Sequence, residues 1–162
     1  MLTAERLRDL MSYDPETGIF RWKVRGKGRR FNDPVGFSNF SGYLRVSIDE
    51  RRFLMQRLAW LYVTGEWPSA EIDHINSDRA DNRWANLRPA TAAQNRANMR
   101  MRASNRARVK GVRYRPDMAK WEARICKNYR QIYVGAFKTA EEAHAAYYAK
   151  ARELFGEFAR AA

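Results

Sequence analysis

Residues 71–100, EIDHINSDRADNRWANLRPATAAQNRANMR, set an aspartate and a histidine side by side, follow them with a run of asparagines, and end in arginines. Ala70 to Ile75 has the length of a short strand, SDRADNRW reads as a connecting loop, and Asn86 to Ala90 as a second strand. Thr91 with Gln94 three residues later is a capping box, so a helix begins at Ala92. The unit is strand, loop, strand, helix. Its polar residues fall at the end of one strand, the start of the next and the first turns of the helix, which brings them together in space. Neighbouring strand residues point to opposite faces, so Asp73 and His74 serve one site only if the strand ends or twists there.

Outward from this stretch, 162 residues with 45% apolar side chains suffice for one ordinary domain or two small ones with real cores. The net charge of +13, from 31 basic against 18 acidic residues, points to a polyanionic partner, nucleic acid before a membrane surface. No run approaches the ~18 apolar residues a membrane span needs, and no signal-peptide pattern opens the chain. Cys126 is the single cysteine, which excludes an intramolecular disulfide; with His74 and His144 as the only histidines, a Cys/His zinc site cannot be assembled. The expectation is an intracellular protein, and any metal it holds is a hard one on oxygen ligands.

The charge is uneven. Residues 96–130 carry twelve Lys/Arg against Asp117 and Glu122, a net +10 of the +13. MRMRASNRARVKG has basic and small residues and little apolar periodicity, which places a basic linker at 101–109. Before it, Thr3 to Met11 has helical spacing, DPETG at 14–18 is a turn leading into a strand at Ile19 to Val24, and 25–39 reads as loop. GYLRVSIDERRFLMQ alternates around a turn at 49–51, a hairpin, and Leu54 to Val63 becomes helical until Gly65 and Pro68 stop it; Leu58, Trp60 and Leu61 read as core. After it, strands are expected at Gly111–Arg115, Trp121–Cys126 and Gln131–Phe137. A helix from Ala140 to Phe155 follows, opened by a capping box of Thr139 and Glu142, closed by Gly156 and packed through Ala143, Ala146, Tyr147 and Leu154.

Phosphodiester hydrolysis needs a base to activate water and a cation to hold the phosphate and stabilise the leaving 3′ oxygen. His74 is the only histidine placed to be that base. DHINSDRADNRWANLR followed by QNRAN resembles the HNH nuclease motif, in the His-Asn-Asn form of phage and intron-encoded homing endonucleases, and YDPETGIFRW, GYLRV and QRLAWLYVTGEWP are also typical of these enzymes. The resemblance implies that Asp73 binds the metal, most often Mg²⁺ with Mn²⁺ as the alternative. It implies that His74 is the general base, that Asn86 braces the loop and orients the histidine, and that Asn95 is a second, helix-borne ligand. Asn98, three residues further on, competes for that role. Asp78 and Asp81 read as loop caps. Arg79, Arg83, Arg88 and Arg96 surround the cluster as candidates for flanking phosphates. Two positions depart from the family pattern. Ser77 stands where glycine is common and a positive φ is expected. Gln56 stands where the family often has histidine, and either weakens the activity or substitutes for it.

KGVRYRPDMAKWEARI and RQIYVGAFKTAEEAHAAYYAKARELFGEFA resemble the AP2 domain, whose three-stranded sheet, backed by one helix, lies in the DNA major groove. Strand alternation alone puts Val112, Tyr114, Trp121, Ala123, Ile125, Ile132 and Val134 inward, and Arg113, Arg115, Glu122, Arg124, Cys126, Gln131 and Tyr133 outward. Arginine, glutamine and tyrosine suit phosphates and base edges, and Lys110 joins this set. His144 reads as structural.

The expected fold class is α+β: a ββα-metal nuclease domain over 1–100, the linker at 101–109, and the AP2-like module over 110–162. The expected function is a metal-dependent DNA endonuclease that nicks one strand as a monomer, with no membrane partner. The alternatives are a DNA-binding protein whose nuclease site is inactive, which Gln56 favours, and an RNA-binding accessory protein, which the lack of a paired aromatic platform disfavours.

Overall fold

The structure, a computed structural model, describes all residues except 27, 29, 39, 102–104, 106–108 and 162. It divides into two compact units, Met1–Ala90 and Thr91–Ala162. Both mix helices with small antiparallel sheets, as the α+β expectation requires. No described helix is long and apolar enough to cross a membrane.

In the first unit, α1 (Ala4–Leu10) is capped by Thr3, whose hydroxyl accepts from the Arg6 N–H, and buries Ala4, Leu7 and Leu10 at helical spacing. Met11, expected as the helix end, instead opens β1 (Met11–Asp14), which pairs in register with β2 (Ile19–Trp22) around the DPETG turn. The Asp14 carboxylate ties that turn by accepting from the Glu16 N–H and the Thr17 hydroxyl. A second hairpin follows as expected. β4 (Leu44–Ile48) and β5 (Arg51–Leu54) meet at Asp49 and Glu50, both with positive φ, the twist that suits a two-residue hairpin turn. β3 (Phe37–Ser38), inside the segment read as loop, adds an edge strand to β4.

α2 (Met55–Thr64) leaves β5 directly and ends at Gly65 in the left-handed conformation. β6 (Glu71–His74) and β7 (Leu87–Ala90) then pair across the loop 75–86, whose last residues, Trp84–Asn86, form a 3₁₀ turn. Leu7, Met11, Phe20, Met55, Leu58 and Leu61 form the centre of one apolar core, to which Ile72 of β6 and Leu87 of β7 contribute. Each such side chain stabilises the fold by about 1.5–3 kcal/mol through burial. Trp60 of α2, partly buried against the core, packs its ring 5.2 Å from that of Trp84 in the 3₁₀ turn.

α3 (Ala92–Asn98) opens with the expected capping box of Thr91 and Gln94 and belongs by packing to the second unit. The expected linker falls mostly outside the described residues. Beyond it, β8 (Val112–Arg115), β9 (Lys120–Lys127) and β10 (Arg130–Phe137) form an antiparallel sheet with β9 in the centre. α4 (Ala140–Phe155) lies on one face of that sheet through Ala143, Tyr147, Ala151 and Phe155, one residue every four, while Ala146 and Leu154 are only half-buried.

Gly111 decides how closely β8 meets α4. Its φ is +73°, and a Cβ there would lie 2.1 Å from the Tyr147 ring. Gly111→Ala is therefore expected to destabilise the second unit by about 2–3 kcal/mol, read as a lower denaturation midpoint with an unchanged slope; a shift below the error of the measurement would contradict the close approach.

Candidate active site

The two strands of the opening stretch place its polar residues by register. Asp73 stands opposite Arg88 and His74 opposite Leu87. Cross-strand partners share a face, and Asp73 Oδ2 accepts from Arg88 Nε at 3.0 Å, with both side chains largely buried. Removing one partner of such a buried pair costs about 3–5 kcal/mol. Arg88, a candidate for flanking phosphates in the sequence, is here engaged through Nε with the acid.

His74 is buried too, at the end of β6. Its Nε2 lies 3.2 Å from Asn82 Oδ1, and its ring centre lies 5.9 Å from that of Tyr43. Burial pushes the imidazole below its ordinary value, against the opposing pull of the Asn82 hydrogen bond and the Asp73 charge. The group is thus held as the neutral base at neutral pH.

Asn86 closes the loop. Its Oδ1 accepts from the Asn76 N–H, and its Nδ2 donates to Asn76 Oδ1 and to the Asp81 carbonyl at 2.8–3.0 Å. These bonds tie Asn86 to the loop, and the oxygen that meets His74 Nε2 is that of Asn82. Asn82 is 1% exposed. Nothing in its local sequence distinguishes it from its polar neighbours, and only the return of the loop reveals it. Asp78 accepts from the Ala80 N–H, and Asp81 takes both Nε and Nη2 of Arg83, which holds the Asp81 carboxyl down at about 2. Both aspartates are turn residues, as expected. Ser77 has φ +60°, the conformation for which glycine is the easier residue. Arg79 donates to the Ser41 carbonyl and covers the Tyr43 ring at 4.8 Å.

Gln56 lies in the first turn of α2, 3% exposed, and its Oε1 has no hydrogen-bond partner among the described residues. An unpaired buried acceptor costs about 1–3 kcal/mol. Asn95 and Asn98 sit on α3 in the second unit, Asn95 half-buried and Asn98 buried.

Asp73 offers a single oxygen donor group, a carboxylate. No group of three or more His, Cys, Asp or Glu able to hold a metal is found among the described residues. That donor set fits a hard cation such as Mg²⁺, which keeps much of its shell as water and phosphate and takes one or two carboxylates. The Arg88 bond engages one carboxylate oxygen, and a carboxylate has acceptor capacity for more than one partner.

The second unit presents a different cluster. Glu122, in mid-β9 and expected outward, is on the outward side yet 2% exposed, because three arginines cover it. Arg113 and Arg124 donate their Nε atoms to its two oxygens at 2.7 and 2.6 Å, and Arg115 reaches it at 3.4 Å while also pairing with Asp117. Tyr133 stands opposite Arg124 and Gln131 opposite Cys126, all four exposed on this face. Tyr114, expected inward, is 49% exposed beside Trp121 at the sheet margin. Lys110, expected at DNA, is half-buried, donates to the carbonyls of Ala97 and Met99 at the end of α3, and is lowered to about 8 by burial and by Arg160. Arg96 lies over the Tyr129 ring. His144 is structural: its Nδ1 meets the Lys110 carbonyl and its ring stacks on Tyr147.

Burial alone would raise the Glu122 carboxyl, but the hydrogen bonds from Arg113 and Arg124 outweigh it and leave the group below its ordinary 4.5. A depressed carboxyl contributes stability that is complete above pH 4.5 and is lost as pH falls through its folded value. Thermal unfolding between pH 6 and 3 should show that loss, and Glu122→Gln should be less stable at pH 6 with a flatter dependence below 4.5; parallel curves for the two proteins would contradict it.

Comparison with known proteins bears on the first of these two clusters. Residues 53–97 match the model of the family described as HNH endonuclease. An uncharacterised HNH endonuclease of Acanthamoeba polyphaga mimivirus is 36% identical over 121 residues, which make up 74% of this chain and 62% of the relative, so the chain spans less than two thirds of that protein's length. No solved structure matches. The matched segment contains Asp73, His74, Asn82, Asn86 and Asn95, so the part of the chain around the buried acid and histidine is similar to the HNH endonucleases.

Proposed function

We propose that this protein is a metal-dependent DNA endonuclease of the homing-endonuclease type, acting as a monomer and nicking one strand per encounter. The observation that carries the proposal is the buried Asp73–His74 pair at the end of β6, inside the segment that matches the HNH endonucleases, with His74 held neutral by burial.

In this mechanism His74 accepts a proton from water as the oxygen attacks the scissile phosphorus, and the 3′ oxygen departs. Asn86 holds the loop in the shape that presents the histidine, and Arg88 fixes the Asp73 carboxylate. A divalent cation, Mg²⁺ or Mn²⁺, held by Asp73, would supply Lewis-acid stabilisation of the charge that develops on the phosphate and the departing oxygen. Asn95 is assigned as a further oxygen ligand by motif spacing alone.

The second unit serves as an AP2-like binding module for double-stranded DNA, through the outward face of β8, β9 and β10. Its support is the array of Arg113, Arg115 and Arg124, with Gln131 and Tyr133 on the same face. Arg83 and Arg96, both exposed, are candidates for flanking phosphates. The second reading, a DNA-binding protein with a silent nuclease site, is favoured by one observation, the buried Gln56 with its unpartnered oxygen at a position where the HNH resemblance leads one to expect histidine.

Cleavage of supercoiled plasmid with Mg²⁺, Mn²⁺ and EDTA separates the two. The expected result is metal-dependent open-circle product, reduced about 10²–10⁴-fold in His74→Ala. Recovery only in Gln56→His would mean an enzyme disabled at that position, and early linear product would argue for paired action. DNA binding without cleavage by any form would leave the silent-site reading. Arg124→Ala is expected to lower the slope of log affinity against log salt by about one unit if Arg124 contacts phosphate; an unchanged slope would remove it from the interface.

A further inference from the structure

We infer that Asn82 is a positioning residue for His74, and that the β1–β2 hairpin is the clamp that holds Asn82 in place. The role in the reaction rests on the endonuclease proposal, whereas the clamp itself does not.

The orientation of the Asn82 amide is set by its other end. Nδ2 donates to the Ala80 carbonyl at 3.2 Å, so the atom facing His74 Nε2 is the oxygen, which can only accept. Nε2 must therefore carry the hydrogen, and in the neutral ring the proton-accepting lone pair belongs to Nδ1. A proton taken from water in the reaction goes to Nδ1, which leaves the Nε2–H bond to Asn82 intact as the imidazolium forms. An amide in this place aims the ring as well as selecting its tautomer.

Asn82 has little local support of its own, because it lies within the irregular loop between β6 and β7. Three contacts from the N-terminal hairpin supply it. The Tyr13 hydroxyl donates to the Asn82 carbonyl at 2.7 Å, and the Trp84 N–H donates to the Pro15 carbonyl at 2.9 Å. Gly18 lies directly against the peptide between them: a Cβ on it would lie 2.4 Å from both Asn82 C and Arg83 N. Burial raises the Tyr13 phenol, so it remains a donor across the working pH range. The turn that a short DPETG motif makes is thus shaped to fit one peptide of the site loop.

The test uses the full chain in two measurements. In ¹H–¹⁵N spectra of the histidine rings without DNA, wild type should show a slowly exchanging Nε2–H resonance for His74. It should vanish in Asn82→Ala and persist in Asn82→Asp, which keeps the accepting oxygen. Tyr13→Phe, a gentler change that retains the ring, should speed its exchange. In plasmid cleavage Asn82→Ala should lose about 10²-fold in kcat with KM for DNA unchanged, and Asn82→Asp should recover part of it. An Nε2–H resonance unaffected by Asn82→Ala overturns the inference, as does a kcat left intact. If wild type itself does not cleave, the endonuclease proposal fails while the resonance still decides whether Asn82 holds the ring.

Discussion

The first unit depends on a pairing of two four-residue strands, β6 and β7. Alone, such a hairpin would be marginal in water, and its connection is a long irregular loop, not a tight turn. It persists because Ile72 and Leu87 are buried in the core built by α1, β2 and α2, and because Asn86 ties the loop shut through Asn76 and Asp81. Register then does the rest. Once Asp73 faces Arg88, the acid has its counter-charge, and the histidine one residue on has its own partner in Asn82.

A chain with 31 basic and 18 acidic residues uses its few buried acids as organisers. Asp73 holds Arg88, and Glu122 holds Arg113, Arg115 and Arg124. In both cases a carboxylate in mid-strand takes an Nε, which fixes the plane of the guanidinium and leaves its outer nitrogens in a defined direction. Arginine suits this because its donors form a rigid fork. On the sheet of the second unit the result is an ordered basic surface, in which like charges sit close together because a buried anion lies between them.

Much of this was legible in the sequence, for local reasons. The capping boxes at Thr91 and Thr139, the hairpin at 49–51, the helix over α2 and the meander of the second unit all come from patterns within a few residues of one another, and each stands where expected. β1 was missed because Met11 continues the spacing of α1; its alternation, with Met11 and Tyr13 buried and Ser12 and Asp14 exposed, is only four residues long. Asp73, His74 and Asn86 were singled out by the motif, but their burial and their partners were not. Asn82, Tyr43, Arg88 as a brace and Lys110 as a cap on α3 depend on which side chain returns to which, a property of tertiary packing. Lys110 shows the limit well: charge counting puts it on a DNA surface, whereas its ammonium donates to backbone carbonyls inside its own unit.

The bond between the Tyr13 hydroxyl and the Asn82 carbonyl spans 69 residues of chain, and this separation has a consequence for the order of assembly. The sheet of the second unit is a meander, whose strand pairings are between sequence neighbours and close quickly. The site loop can be completed only when a hairpin from the start of the chain meets a segment made much later, which at roughly 5–20 residues per second on the ribosome is a wait of several seconds. The histidine therefore acquires its fixed orientation near the end of folding of its unit. A nascent or partly unfolded chain would have the residues of the site without its geometry.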